Sequence, residues 1–381
     1  MNPNEAVHVE FVRRVEDIDD ALWHASFPAP LEGRFWYHTL ETSDLEDQFT
    51  FHYALISLGG RAVGIAPCFL HDVPITLVAP APVALVLRGL SKFFPRVGYQ
   101  RTFFIGSPCS DEGTVGLVPG IRPAEIIAPL RAAILAKARE LGAPMIVFKD
   151  FPEPDHPLLA AGGFVSTVSY PGTVVALPPP DKDAYFRARS QNQRHNFRKK
   201  LRRSHEAIAL TTAVVAHPSD AELKEIFALF LQTYERGKTK FERLGLSFFA
   251  QIREHEPARF ILQRDAATGE LVTFMLVFHL GDRVVNKFIG LDYRRGGNTF
   301  LYFRLFDAAL DYAYAVGAKE LQSGQTGYRA KVDLGHRPMP LFNLFRHQNP
   351  LVHAIFSAIG RRVTWRSLDP ELAAITSMPS S

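Results

Sequence analysis

Cysteine is scarce in this chain: there are two in 381 residues, Cys68 and Cys109. Two thiols cannot by themselves build a disulfide framework or a four-ligand metal site, and they read as buried free thiols in a reducing compartment. Long apolar runs are missing too. The most apolar stretch, 75–87, is short and broken by Pro80 and Pro82, whereas a spanning helix needs about 20 apolar residues in a row. The N-terminal MNPNEAVHVEF is polar and leads into strand-like alternation, so no secretory leader is expected and the expected location is cytoplasmic. No His–Glu metal motif and no serine nucleophile elbow occur, which leaves metal-assisted and covalent-serine chemistry without support.

Acid is missing from one place above all. Residues 187–203, RARSQNQRHNFRKKLRR, carry eight Lys/Arg and no Asp or Glu, which leaves 35 basic against 39 acidic residues for the rest of the chain. The net charge of +4 is therefore a local patch, and charge concentrated in this way implies an anionic partner. At 100° per residue, Phe186, Phe197 and Leu201 share one stripe, and Arg187, Gln191, Arg194, Arg198 and Arg202 form a row beside it. Lys199, Lys200 and Arg203 point largely to the other side. Arg194, Arg198 and Arg202 are accordingly candidate ligands for the phosphates of a substrate.

The composition, 47% hydrophobic and 22% charged, is globular, and the length suggests two domains. The stiff run Leu177-Pro178-Pro179-Pro180 sets the expected boundary. It gives an N-terminal domain over 1–177, a linker over 178–185 and a C-terminal domain over 186–381. The two sides read alike. In the first, strands over 51–58 and 61–70 flank Gly59-Gly60, a third ends at Gly106, a helix covers 123–141 and a strand 145–148 follows. In the second, strands over 258–263 and 271–280 flank Thr268-Gly269, a third covers 284–290, a helix spans 299–316 and a strand 320–323 follows. The expected class is α/β (α+β): two tandem units, each a mixed sheet flanked by helices, with the first unit structural and the second active.

The turn Asp292-Tyr293-Arg294-Arg295-Gly296-Gly297-Asn298-Thr299 follows a strand and opens a helix. Glycines there let a ligand approach the backbone, the helix N-terminus adds partial positive charge, and Arg294 and Arg295 add full charge. Residues Arg294, Arg295, Gly296, Gly297, Asn298 and Thr299 thus read as a seat for a donor's pyrophosphate; the plainer alternative is an ordinary glycine turn with Asn298 as the helix cap. The order of elements around Arg294-x-x-Gly297-x-Thr299 resembles the core of the GNAT acyltransferase superfamily, with Thr299 where a small residue is usual. The tandem pair, the basic helix 190–203 and the motif Gly324-x-x-Gly-Tyr-Arg-x-Lys-x-x-x-Gly335 resemble the FemAB-like branch of that superfamily, which includes aminoacyltransferases of peptidoglycan biosynthesis. The resemblance implies a GNAT fold and transfer of an acyl or aminoacyl group to an amine. The implied donor is a substrate, acyl-CoA or aminoacyl-tRNA, and no tightly bound cofactor is expected.

The residues allow that chemistry. An amine attacking a thioester or ester must lose a proton, its oxyanion must be stabilised and the leaving group neutralised. Tyr328 is the candidate acid for a leaving thiolate, with Lys331 and Arg329 close in sequence to neutralise charge. Tyr234, with Glu235 and Lys238, ends an apolar helix and is a candidate for the acceptor pocket of a small amine; the amides of Gln322 and Gln325 are candidates for binding substrate. A competing expectation is a non-catalytic module for nucleic acid or anionic lipid. Residues 351–365, with Ile355, Phe356, Ile359, Arg361 and Arg362, have the makings of a basic amphipathic helix at a membrane surface.

Overall fold

The computed structural model describes residues 6–74, 98–152, 159, 161–237 and 242–376, so the apolar stretch 75–87 and Lys238 lie outside the described residues. The chain forms two units from discontinuous segments. The first takes 1–28, 45–170 and 340–368; the second takes 29–44, 171–339 and 369–381.

The first unit is built on one mixed sheet of eight described strands. In order across it lie β1 (Val7–Val12), β2 (Thr50–Leu58), β3 (Arg61–Pro74), β4 (Tyr99–Ile105), β6 (Met145–Phe151), β15 (Phe342–His347) and β7 (Val165–Val168). The short β5 (Gly116–Leu117) pairs with β3. Helix α1 (Asp20–Ser26) lies on β3, with Trp23 edge-on to Tyr53 at 5.7 Å. β4 and β6 are parallel, and a parallel pair needs a crossover. That crossover carries α3 (Pro123–Glu140), with Pro123 in its first turn and the apolar positions Ile126, Leu130, Ile134 and Ala138 buried in the core.

The second unit repeats this plan. Its seven described strands are β14 (Arg337–Met339), β8 (Gly172–Ala176), β13 (Glu320–Ser323), β12 (Arg283–Leu291), β11 (Leu271–Leu280), β10 (Ala258–Asp265) and β9 (Leu210–Val215), in that order. β12 and β13 are the parallel pair, joined through α8 (Leu301–Ala315), whose Leu305, Phe306, Ala309 and Ala313 are fully buried. The two orders match strand for strand when β1–β4 are set against β9–β12 and β6 against β13. In each unit the strand beyond the parallel pair is antiparallel and comes from a distant part of the chain: β15 from near the C-terminus, β8 from the middle.

The expected boundary is corrected accordingly. The chain changes unit at 170/171, not at 177/178, because β8 pairs with β13 and β14 and so commits its backbone to the second sheet. Residues 29–44 also leave the span expected for the first domain. Their helix α2 (Arg34–Glu41) sets Trp36 edge-on to Phe248 and Phe278, at 5.9 and 5.7 Å. The proline run is an internal connector from β8 to α4 (Lys182–Arg187).

Candidate active site in the second unit

The basic run folds as two helices. Asp181 caps α4, the chain breaks at Ala188–Ser190, and Ser190 with Gln193 forms a capping box that starts α5 (Gln191–Ala207). Despite the break, Arg187, Arg194 and Arg198 come together. With Asp183 and Phe186 they line a pocket of about 440 Å³, and the Arg198 guanidinium lies over the Phe186 ring at 5.3 Å. Arg194 reaches back to the carbonyls of Arg187 and Arg189, at 3.3 and 2.9 Å, which fixes the chain at the break. Arg202 lies outside the pocket lining and sits 3.8 Å from Glu206. Lys199 and Arg203 are exposed as expected. Lys200 is a correction: it packs over the Phe303 ring at 4.1 Å and pairs with Asp333 at 2.8 Å, so it belongs to the inner face.

That pairing and two hydrogen bonds fasten the basic segment to the motif 324–335. Arg189 donates to the Gly335 carbonyl at 2.9 Å, and Gln193 to the Val332 carbonyl at 3.0 Å. Gly335 is required there: its φ is +81°, and a Cβ would lie 2.3 Å from the Arg189 guanidinium. The motif itself forms a turn and a short helix, α9 (Tyr328–Asp333). Tyr328 is fully buried and donates its hydroxyl to the Pro171 carbonyl at 3.0 Å. Lys331 is buried and donates to the Gly324 carbonyl. Lys331 thus ties the 324–327 loop to α9, while Tyr328 ties the start of α9 to Pro171 at the head of β8. Arg329 is exposed, 3.8 Å from Asp333.

The loop leaves from a fork in the sheet. β12 and β13 pair only from Arg283↔Glu320 to Asn286↔Ser323, while β12 runs on to Leu291. Opposite Leu276 and Val277 the β11 register shifts by one, which makes Lys287 the bulged residue just past the last rung. Lys287 turns into the unit's interior, on Glu32 at 2.8 Å and over Trp36 at 4.4 Å. The last rung is polar: Asn286 Nδ2 donates to Ser323 Oγ at 3.4 Å, and Thr173 donates to the Ser323 carbonyl at 3.0 Å. Just beyond, Gln325 Nε2 is buried with no hydrogen-bond partner among the described residues. Gln322 is used otherwise, accepting from Arg283 at 2.7 Å. Tyr234 ends α6 (Asp220–Arg236), which packs on β12, and its ring lies near Phe230 at 6.1 Å. Burial raises the Tyr234 phenol above its ordinary pKa.

The 294–299 turn departs most from expectation. α8 starts at Leu301 with Phe300, φ +47°, as its cap, and two short 3₁₀ turns occupy 293–295 and 297–299, so Asn298 does not cap it. Arg294 grips Asp292, and Arg295 reaches Asp265 at 2.6 Å, Glu270 at 2.9 Å and Asp292 at 3.3 Å. Thr299 donates to the Gly296 carbonyl at 2.7 Å. Helix α5 packs on the 297–299 turn. The arginines that were to meet a pyrophosphate are bound to the protein's own carboxylates.

The sequence reading missed Asn286, Ser323 and Lys287, since nothing in the residue pattern marks where one strand pair stops. It also missed Asp183, which the pocket places beside the arginine row. Among the described residues no cluster could hold a metal ion, and no helix is long and apolar enough to cross a membrane.

No protein-family model matches the chain, and no curated protein is similar to it in sequence. Solved structures are. FemX is matched at a TM-score of 0.57 and 13% identity, over 91% of this chain and 100% of that one. A conserved protein of unknown function from Bacteroides thetaiotaomicron is matched at 0.51 and 10%, over 89% and 99%. A tandem GNAT protein from the clavulanic acid biosynthesis pathway is matched at 0.50 and 15%, over 90% and 99%. Each likeness extends over both units. The chain has the tandem-GNAT, FemAB-like fold.

Proposed function

We propose that the protein is an N-acyltransferase whose second unit moves an acyl group from an acyl-thioester, acyl-CoA, to a small amine by direct attack. The observation that carries this reading is the fork. Beyond Asn286 the β13-facing edge of β12 has no strand partner among the described residues, and an open strand edge takes up an extended, amide-bearing arm by backbone hydrogen bonds. Such an arm would bring the thioester carbonyl to the polar rung Asn286–Ser323 and to the unspent amide of Gln325. The new N–C bond forms as the C–S bond breaks, and the proton lost by the amine balances the one gained by the thiolate. The donor's phosphates belong to the Arg187/Arg194/Arg198 pocket. Guanidinium groups bind phosphate by charge-assisted, two-point contacts.

The second reading, an aminoacyl-tRNA donor, is favoured by the cations that continue outward from the pocket. Lys199 and Arg203 are exposed on α5 with Arg198, a row suited to a nucleic-acid backbone. The experiment is thermal unfolding of the full chain with acyl-CoA, free coenzyme A or charged tRNA over a salt series. Protection by acyl-CoA, weakened in Arg187→Gln/Arg198→Gln, is the expected result; a ligand at 100 times its Kd stabilises by about 2.7 kcal/mol. Protection by charged tRNA alone, falling steeply with salt and lost in Lys199→Gln/Arg203→Gln, selects the second reading. If neither donor protects, the acyltransferase assignment fails.

A further inference from the structure

The last segment of the first unit, residues 340–368, contains no Asp or Glu and four Arg. It carries α10 (Pro350–Gly360), started by Asn349, whose side chain accepts from the backbone N–H groups of Leu351 and Val352. One face of α10 is committed to the sheet. Ser357 and Gly360 are buried, Thr167 donates to the Gly360 carbonyl at 2.9 Å, and a Cβ on Gly360 would lie 2.8 Å from the Phe345 ring. The opposite face follows the 3.6-residue period through Leu351, Ala354, Ile355, Ala358 and Arg362, and every one of these is exposed. Leu351 is 77% and Ile355 61% exposed, the two highest values among the exposed large hydrophobics. They stand one turn apart, and Arg361 and Arg362 are exposed at the end of the same helix.

We infer that this face of α10 docks the protein on an anionic phospholipid surface. The occupant follows from the pattern. A bilayer interface takes the aliphatic pair into the acyl boundary and pairs the arginines with headgroup phosphates. The acid-free segment removes the repulsion that a negative membrane would otherwise exert on this face. Two aliphatic residues and a few arginines give a reversible, salt-sensitive contact. The inference stands apart from the proposed transferase chemistry, because none of these residues lines the pocket or the fork.

The test is co-sedimentation of the full chain with phosphatidylcholine vesicles, with and without about 30% phosphatidylglycerol, at low and high salt. Binding to the anionic vesicles only, reduced by salt, is expected. Leu351→Ser/Ile355→Ser should weaken it by about tenfold or more, and Arg361→Gln/Arg362→Gln should remove the preference for anionic lipid. Because all four side chains are exposed, unchanged melting curves verify that the variants fold. Three outcomes overturn the inference: equal binding to both vesicle types, loss of binding only in Arg187→Gln/Arg198→Gln, or no vesicle binding, with or without self-association through Leu351 and Ile355.

Discussion

Arg294 grips Asp292 at two points, Nε to Oδ1 at 2.7 Å and Nη2 to Oδ2 at 2.9 Å. Asp292 is 2% exposed while the Arg294 side chain is 74% exposed, so the buried carboxylate organises the pair. Its oxygens also accept from the Arg294 backbone N–H at 3.2 Å and from Arg295 Nε at 3.3 Å. The turn is therefore an ion cluster that fastens the β12–α8 connection.

Asp292→Asn should lower stability at neutral pH by about 1.5–3 kcal/mol, the usual worth of hydrogen bonds to a charged group. The Arg294 guanidinium, helped by the Arg294 backbone N–H, holds the Asp292 carboxyl below its ordinary range. A depressed folded pKa contributes stability that is present above the ordinary value of 3.8 and is lost as pH falls through the lower folded value. The gap between parent and variant in urea denaturation should thus be full at neutral pH and close in strong acid. A gap independent of pH would contradict an ionised Asp292.

Tyr328→Phe separates a structural phenol from a catalytic one. The hydroxyl donates to the Pro171 carbonyl at 3.0 Å inside the core, so removal should cost about 0.5–1.5 kcal/mol of stability. Turnover should change by no more than a few fold. A group that protonates the leaving thiolate would instead cost about 10²–10⁴ in kcat. Steady-state kinetics beside a melting curve distinguishes the two, and a large kcat loss in a stably folded variant would restore the acid role.

Local rules made much of this fold legible. The Gly59-Gly60 and Thr268-Gly269 turns, the period of α3 and the strand after each crossover helix all depend on residues within one element or its neighbours. What stayed hidden depends on pairing over distance. β15 and β8 look like ordinary strands, and nothing local tells β15 to join the first sheet or β8 the second. Helical periodicity put Arg194 and Arg198 on one face, whereas Arg187 joins their pocket from a separate helix and Arg202 stays outside it. The fate of Arg294 and Arg295 was not, since Asp265 and Glu270 approach from a different hairpin. Lys200 shows the same limit, because its partner Asp333 sits on a helix more than a hundred residues away. Charge reads as solvated in a sequence until the element carrying the opposite charge has been placed.

His336 follows directly after Gly335, so it sits where the basic segment is pinned to the motif. Its ring is buried beside Phe306 at 5.3 Å, and burial, with a smaller push from the Lys331 charge, lowers its pKa from 6.5 to about 3. Folded protein therefore holds this histidine neutral across the range in which an unfolded chain would protonate it. The sign follows: stability from His336 is complete above pH 6.5, declines as pH falls below that value, and is lost by about pH 3. One histidine contributes a slope of about 1.4 kcal/mol per pH unit within that window. His52 behaves alike, lowered to about 4 by burial first and the Arg13 charge second. Urea denaturation between these limits should show the combined slope in the parent, and about one proton less in His336→Gln. A slope unchanged by the substitution would mean that His336 is protonated in the folded protein, and that the pinning of Arg189 to Gly335 tolerates a second buried cation beside Lys331.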